Sequence, residues 1–556
     1  MIGTGGGPAL GMGGAPAACA APIPITGTAA TVTVNLGAAP IATVSPDLLG
    51  VHTAVYDSIL TTDPTTPALL NAGGITSLRY PGGSYADVYH WESNSAHATP
   101  AAGQGSNVIF VADTANFGSF VSLLQSAGAN AFITVNYGMN STATGPAVPQ
   151  QAAAWVAYAN GAPGSTTPIG TDVNGINWQT VGYWAGLRAS APLAVDTVPP
   201  TNFLRINRPA PVGIKYWELG NELYGNGYYN GNAGSAGWEA DLHAPYNGTN
   251  GTLRRGNPAL APAVYGMAVR AFAAAMKAVD PTIQVGGIVT WPDNQFTTPT
   301  SWNSSALSQA CASMDFAVAH WYPGSTIVSL LPAPRTEIPA MYAGLRGVLT
   351  ANCPAGKGGM PIAISEWGPN INVPNDITAQ LTNRVNAGLP PTNTQIVGLF
   401  AAEAYATFME QGVFAAHWAQ MHIQGGGYLE ATAANNWGYH GAVMAHHFAG
   451  AGDNILPLQT TSNALLYAHA SRHSDGSIAV MLTNTNPAGS LAVTVNMTGG
   501  AAVPLACSGF RYGYTSAGAN LDGPITTANI FSATTRTSFA VAVPAYSVVV
   551  VVFPPG

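Results

Sequence analysis

Eight short apolar segments recur along most of this chain, and the pattern between them limits the folds it can adopt. The predicted strands are Leu49 to Thr53, Ser77 to Tyr80, Ala131 to Asn136, Gly213 to Leu219, Gln284 to Ile288, Phe316 to His320, Pro361 to Ile364 and Val413 to Trp418. Helical periodicity fills several of the gaps: Phe117 to Ser126 closed by Gly128, Ala152 to Asn160, Tyr265 to Val279 closed by Pro281, Ile338 to Leu349, and Thr394 to Met409. Strands that alternate with helices in this way predict an α/β chain built as a (β/α)8 TIM barrel with long loops, in preference to an open doubly wound sheet.

Beyond about Gly450 the apolar period changes to two. Ala464 to Arg472, Ser477 to Asn484, Leu491 to Met497, Ser538 to Val543 and Ser547 to Phe553, separated by Gly, Asn and Asp turns, predict an antiparallel β-sandwich. The expected organisation is a Gly/Ala/Pro-rich lead-in over 1–25, strands over 26–45 that join the sandwich, a catalytic barrel over 46–449 and a sandwich over 450–556.

Only 7% of the 556 residues are charged, and Lys plus Arg number 16 against 24 Asp plus Glu. A net charge of -8 offers no basic surface for a phosphate backbone, so nucleic acid is not an expected partner. The longest apolar run, Val548 to Phe553, is far short of the roughly 20 residues that span a bilayer, so no membrane is expected either. Just three lysines (Lys215, Lys277 and Lys357) and a surface of Thr, Ser, Asn and Gln suggest an exported protein whose charge balance changes little in acid. Cys311 with Cys353, or Cys19 with Cys507, can each pair in an oxidising compartment; buried free thiols are the alternative. No CxxC or His-rich spacing suggests a metal and no GxGxxG turn a dinucleotide, so neither metal nor cofactor is expected. Oligomeric state is not legible.

In a chain so poor in charge, two glutamates at predicted strand ends stand out: Glu222 in Lys215-Tyr-Trp-Glu-Leu-Gly-Asn-Glu222 and Glu366 in Pro361-Ile-Ala-Ile-Ser-Glu366. That end of a barrel is where side chains from distant strands converge. Two facing carboxylates, one protonated and one ionised, can cleave an acetal, and Asn221 places an amide beside them. Pairing of both with arginine at the barrel mouth is the bland alternative.

The run Tyr216-Trp-Glu-Leu-Gly-Asn-Glu222-Leu-Tyr-Gly225 resembles the acid/base strand of clan A glycoside hydrolases, and Ile364-Ser-Glu366-Trp367 the nucleophile strand. Leu78-Arg79-Tyr-Pro-Gly-Gly83, Phe132-Ile-Thr-Val-Asn136-Tyr-Gly138 and Met314-Asp-Phe-Ala-Val-Ala-His320-Trp-Tyr322 fit in order, nearest to the family 51 alpha-L-arabinofuranosidases. The resemblance implies Glu222 as general acid/base, Glu366 as nucleophile and retention of configuration. It implies that Arg79 and Tyr322 hold the nucleophile, with Arg79 keeping it ionised while Glu222, left without such a partner, keeps its proton. Asn136, Asn221 and His320 would line the site, and Trp418 with Gln420 would form part of the sugar-binding floor.

Two departures fall on substrate-gripping positions. Where the family has a glutamate four residues after the glycine of the first strand, this chain has Ala54, and its asparagine after the Pro-Gly-Gly turn is Ser84. Asp57 or Asp87 can replace a lost grip, or serve as loop residues. Tyr224, Tyr228, Tyr229, Trp291, Trp321, Trp367, Trp437 and Tyr439 crowd the inferred rim, either as stacking surfaces for an extended glycan or as packing under loops. The expected function is a retaining glycosidase acting on cell-wall polysaccharide, arabinofuranosidase-like, with an endo-acting β-glucanase or xylanase of the same clan and a non-catalytic carbohydrate-binding protein as alternatives.

Overall fold

The computed structural model describes residues 25–97, 108–142, 145–194, 199–225, 243, 261–292, 302–323, 327–369, 393–422, 428–429, 437–461, 463–499, 509–515, 518–525, 531–532 and 535–555. Eight parallel strands close into a barrel in sequence order: β1 (Leu49–His52), β2 (Ser77–Tyr80), β3 (Asn130–Val135), β4 (Tyr216–Leu219), β5 (Gln284–Ile288), β6 (Phe316–Trp321), β7 (Ile362–Trp367) and β8 (Ala415–Ala419). β8 pairs back with β1 through Ala416 opposite Leu49, so no edge remains. Nearly every residue of these strands is buried, because the helices outside and the side chains inside cover both faces.

Alternation along the strands fills the barrel in layers. Phe132, Tyr216, Phe316 and Phe414 pack together towards the N-terminal end, with the Phe132 and Tyr216 rings 4.5 Å apart. Above them His417 reaches Ser77 Oγ at 3.0 Å, over Gly50, where a β-carbon would meet the His417 ring at 2.4 Å. The next inward positions are His52, Arg79 and Glu218, two residues on from Gly50, Ser77 and Tyr216.

Helices Phe117–Ala127, Pro149–Asn160, Ala261–Val279, Ala333–Asn352 and Asn393–Gln411 match the periodic segments in the sequence. Asn116 caps the first of them by accepting from Ser119 N, and Gly128 ends it in the left-handed conformation. The C-terminal region forms two sheets. In the first, Thr28–Asn35 lies between Leu458–Thr461 and Leu491–Thr498, followed by Thr535–Val543 and Phe531–Ser532. The seven-stranded second sheet runs Ala42–Thr43, Asn454–Leu456, Leu466–Arg472, Ile478–Asn484, Ser547–Phe553, Gly509–Thr515, Gly518–Ile525. Against the barrel, His469 of this sheet lies between Glu410 (2.7 Å) and Glu403 (3.2 Å) of helix Asn393–Gln411.

Cys311 and Cys353 form a disulfide with their Cα atoms 5.4 Å apart, while Cys19 and Cys507 lie outside the described residues. Among the described residues no helix is long and apolar enough to cross a membrane.

Candidate active site

Glu366, at the end of β7, is held from both sides. Arg79 Nη1 donates to its Oε1 at 3.1 Å and Tyr322 OH donates to its Oε2 at 2.9 Å. Arg79 is wholly buried and also spans Glu218, both of whose oxygens lie 3.2 Å from Nε, and Asn221 Oδ1, 2.9 Å from Nη2. One guanidinium from β2 thus ties the nucleophile candidate to the β4 strand and its loop. Burial, and then the charge of Glu366, push the Tyr322 phenol well above its ordinary value, so it stays a donor.

Glu222 sits just past β4, where Gly220 turns the chain with φ +71° and Asp87 Oδ2 accepts from Asn221 N at 3.0 Å. Its Oε1 is 2.7 Å from His320 Nδ1 and accepts from Tyr224 OH at 2.8 Å. Burial alone would raise the Glu222 carboxyl. The hydrogen bond and charge of His320, the Tyr224 hydroxyl and the Arg79 field outweigh it, and the group lies below the usual carboxylate range. The expectation that Glu222, left without a charged partner like that of Glu366, keeps its proton is therefore corrected: His320, on β6 and two strands along the barrel, is such a partner.

His320 Nδ1 also approaches Glu366 Oε2 at 3.3 Å, so oxygens of the two glutamates lie within 4.8 Å of one another, with the imidazole between them. Two carboxylates and an imidazole at such spacing resemble a cation site, but the Arg79 guanidinium on Glu366 already supplies the positive charge and would repel a metal ion.

The other residues singled out from the sequence are less uniform. Asn136 is buried at the end of β3, where its Nδ2 donates to Met139 O and its Oδ1 has no hydrogen-bond partner. Gln420 is half-buried and accepts from Tyr56 OH at 2.5 Å. Trp418 does not form a floor: its ring is fully buried, edge-on to Trp367 at 4.8 Å and against Phe400. As an outward position of β8 it packs on helix Asn393–Gln411. Trp321 and Trp367 also pack there, and Tyr224 is buried, so the bland reading holds for these rim aromatics. Trp291 is 38% exposed, and Tyr228 and Tyr229 lie outside the described residues. Asp57 pairs with His422 at 2.6 Å and Asp87 holds the Glu222 loop, so both are committed to loop structure.

Sequence reasoning missed Glu218, Ser365 and His52. Glu218 has the inward parity of Tyr216 in a wholly buried strand, a signal that was available. Ser365 Oγ lies 3.1 Å from Glu218 Oε2 and 3.3 Å from His320 Nε2, and it reaches inward together with Glu366 because β6 and β7 change register there: Ala319 pairs with Ile364, but His320 with Glu366. A bulge of this kind leaves no periodic trace. His52 is buried with Nδ1 3.3 Å from Glu366 Oε1, off hydrogen-bond geometry; burial and then the Arg79 charge hold it neutral, well below the usual imidazole range. Tyr56 and Tyr85, half-buried with ring centres 4.8 Å apart, stand on the loops after β1 and β2.

No protein-family model matches the chain. A segment of 153 residues, 27% of this chain, is 25% identical to a probable alpha-L-arabinofuranosidase C of Aspergillus fumigatus, and it spans 23% of that relative's length. Among solved structures, an alpha-L-arabinofuranosidase from Thermotoga maritima in complex with arabinose is similar over 94% of this chain and 99% of its own, with TM-score 0.64 and 17% identity. A family 51 alpha-L-arabinofuranosidase from Thermotoga petrophila matches with TM-score 0.65 and 16% identity, over 94% of this chain and all of its own. A family 44 xyloglucanase from Paenibacillus polymyxa follows at TM-score 0.59 and 16% identity, over 95% of this chain and 100% of its own. The barrel and the antiparallel sheets are thus the architecture of the family 51 and family 44 structures.

Proposed function

We propose that the chain is a retaining glycoside hydrolase acting on cell-wall polysaccharide, with Glu366 as nucleophile and Glu222 as general acid/base. The observation that carries this reading is the carboxylate pair at the C-terminal rim of the barrel, with oxygens within 4.8 Å. Retaining enzymes place these groups about 5–5.5 Å apart, whereas inverting ones leave about 6.5–9.5 Å for a water. Arg79 and Tyr322 fix Glu366 beside the anomeric carbon; Glu222 protonates the leaving oxygen and then draws a proton from the water that releases the covalent intermediate. The Cys311–Cys353 disulfide supports an oxidising compartment outside the cytoplasm.

Likeness to arabinofuranosidases favours removal of arabinofuranosyl branches. One local feature favours a pyranose backbone instead: Ala54 stands where the family has its gripping glutamate, and half-buried Tyr56 and Tyr85 on the adjoining loops are aromatic residues of the kind on which a pyranose stacks. The test is product release from arabinan, arabinoxylan, xylan, β-glucan and xyloglucan, with Glu366→Ala alongside. Free arabinose or backbone oligosaccharides, falling at least 1,000-fold in the variant, on the order expected for removing a catalytic group, would support one or the other specificity. Glycan binding without cleavage, unchanged in Glu366→Ala, would favour a carbohydrate-binding protein.

A further inference from the structure

Beneath the two rim glutamates a chain of polar groups runs from Glu218 through Ser365 and His320 to Glu222, and counting its hydrogens fixes where they sit. Glu218 is wholly buried and both of its oxygens face Arg79 Nε, so as a carboxylate against a guanidinium it has only lone pairs to offer. Ser365 Oγ, 3.1 Å from Glu218 Oε2, therefore donates its single hydrogen there. That hydrogen being used, the 3.3 Å contact between Ser365 Oγ and His320 Nε2 requires the ring to be the donor. Nε2 carries a proton, and a neutral His320 presents a bare lone pair at Nδ1.

That lone pair faces Glu222 Oε1 at 2.7 Å, a distance at which two lone pairs repel. A proton must therefore occupy the contact, on Glu222 with a neutral ring or on Nδ1 as an imidazolium beside a carboxylate. We propose that Glu218, acting through Ser365, is a positioning residue that locks the His320 tautomer, so that the proton delivered by Glu222 is stored in the Glu222–His320 contact. The proposal rests on the glycosidase reading only for where that proton goes.

In the first half of the reaction the shared proton passes to the glycosidic oxygen as its bond to the anomeric carbon breaks and Glu366 bonds to that carbon. In the second, water adds to the carbon, the bond to Glu366 breaks and the water's proton returns to the contact. No further reactant is needed. The charged and titratable groups facing the pair are Glu366, Arg79, Tyr224, Tyr322, His52 and Glu218. Tyr224 keeps its donor bond to Oε1 in either form, and Arg79 favours the carboxylate.

The test is nitrogen NMR of histidine-labelled protein from pH 4 to 8, with His320 assigned by His320→Gln. The wild type is expected to keep Nε2 protonated throughout. In Ser365→Ala the neutral ring should move to the Nδ1–H form, which can donate to the Glu222 carboxylate, and Ser365→Thr should restore the wild-type signal. A neutral wild-type His320 protonated at Nδ1, or a tautomer indifferent to Ser365→Ala, would overturn the proposal. On aryl glycosides, Ser365→Ala should lower kcat/KM on the order of ten-fold for poor leaving groups and under two-fold for dinitrophenolate, because only the former need the proton; an equal loss for both would also overturn it. If no glycoside is cleaved, the glycosidase reading fails while the NMR result still decides the tautomer.

Discussion

Arg79 is the side chain through which the candidate site is most closely joined. Its three nitrogens reach Glu218, Glu366 and Asn221 while the group is completely buried, so its charge is matched by carboxylates away from water. Lysine at this position keeps the charge but offers one nitrogen on a flexible stem, which cannot span three acceptors in fixed directions. Arg79→Lys should therefore destabilise the fold by about 3 kcal/mol, within the range for breaking a buried ion pair. Urea unfolding would read that shift, and an Arg79→Lys variant within 1 kcal/mol of wild type would show that charge alone suffices. Both rim glutamates were legible in the sequence because charge is rare here and they lie at strand ends, whereas Arg79 was reached through the resemblance carried by Leu78-Arg79-Tyr-Pro-Gly-Gly83. Trp418 was misread because a residue at a strand end can face either way. Its parity with Ala416, one step out of phase with the inward His417, turns the ring towards the helices, while Gln420, past the end of the strand, faces the mouth.

Strands and helices were legible to the extent that they repeat. β2 and β5 coincide with the predicted segments, and the others differ by a few residues where loops begin, because a buried parallel strand is a plain apolar run with clear ends. The small sheet of Tyr89–His90, Ser95–His97 and Val108–Ile109 left no signal, since two or three residues cannot establish a period. Helix Val181–Ala189 was missed for a related reason: Gly182 and Gly186 interrupt its apolar face, and its start depends on Thr180 accepting from Tyr183 N. The disulfide joins two further elements, the turn Cys311–Ser313 before β6 and the residue that ends helix Ala333–Asn352. With its cysteines 42 positions apart in the sequence, the loop-entropy contribution is about 4 kcal/mol. Reductant should lower the urea midpoint of the wild type to that of a Cys311→Ala/Cys353→Ala double variant and leave the variant unmoved. A midpoint insensitive to reductant would mean that the unfolded chain gains little freedom when the bond opens.

Across the whole molecule the ionisable groups argue against the acid stability that a surface poor in carboxylates suggests. Among the described residues, ten Asp, Glu, Lys and Arg side chains are buried (Asp47, Asp57, Arg79, Asp87, Asp172, Arg188, Glu218, Glu366, Glu403 and Asp453), so titration acts on the interior as well as the surface. Seven histidines, at positions 52, 90, 97, 417, 440, 446 and 447, are shifted below the ordinary value of 6.5, chiefly by burial, His90 to about 3 and His447 to about 4. A depressed imidazole contributes stability above pH 6.5 that is lost as pH falls through its folded value, so these groups together weaken the fold in acid. Glu92 and His469 act in the opposite sense. Burial pushes Glu92 up to about 7, and its contribution, complete below 4.5, is lost as pH rises through 7. Glu410 and Glu403 outweigh burial and hold His469 at about 10, so its contribution is complete below 6.5 and lost as pH rises towards 10. Seven groups against Glu92 set the acid limb, and His469 dominates the alkaline one, which places maximum stability between about pH 6 and 7.5. Thermal unfolding from pH 4 to 10 would test this, with His469→Gln expected to lower the midpoint at pH 6 and to flatten the decline above pH 7. The clamp joins helix Asn393–Gln411 of the barrel to the seven-stranded sheet, so the alkaline loss should be a loss of contact between the two regions. A maximum below pH 5 would instead mean that the buried histidines take up protons without cost, through water reaching them in the native state.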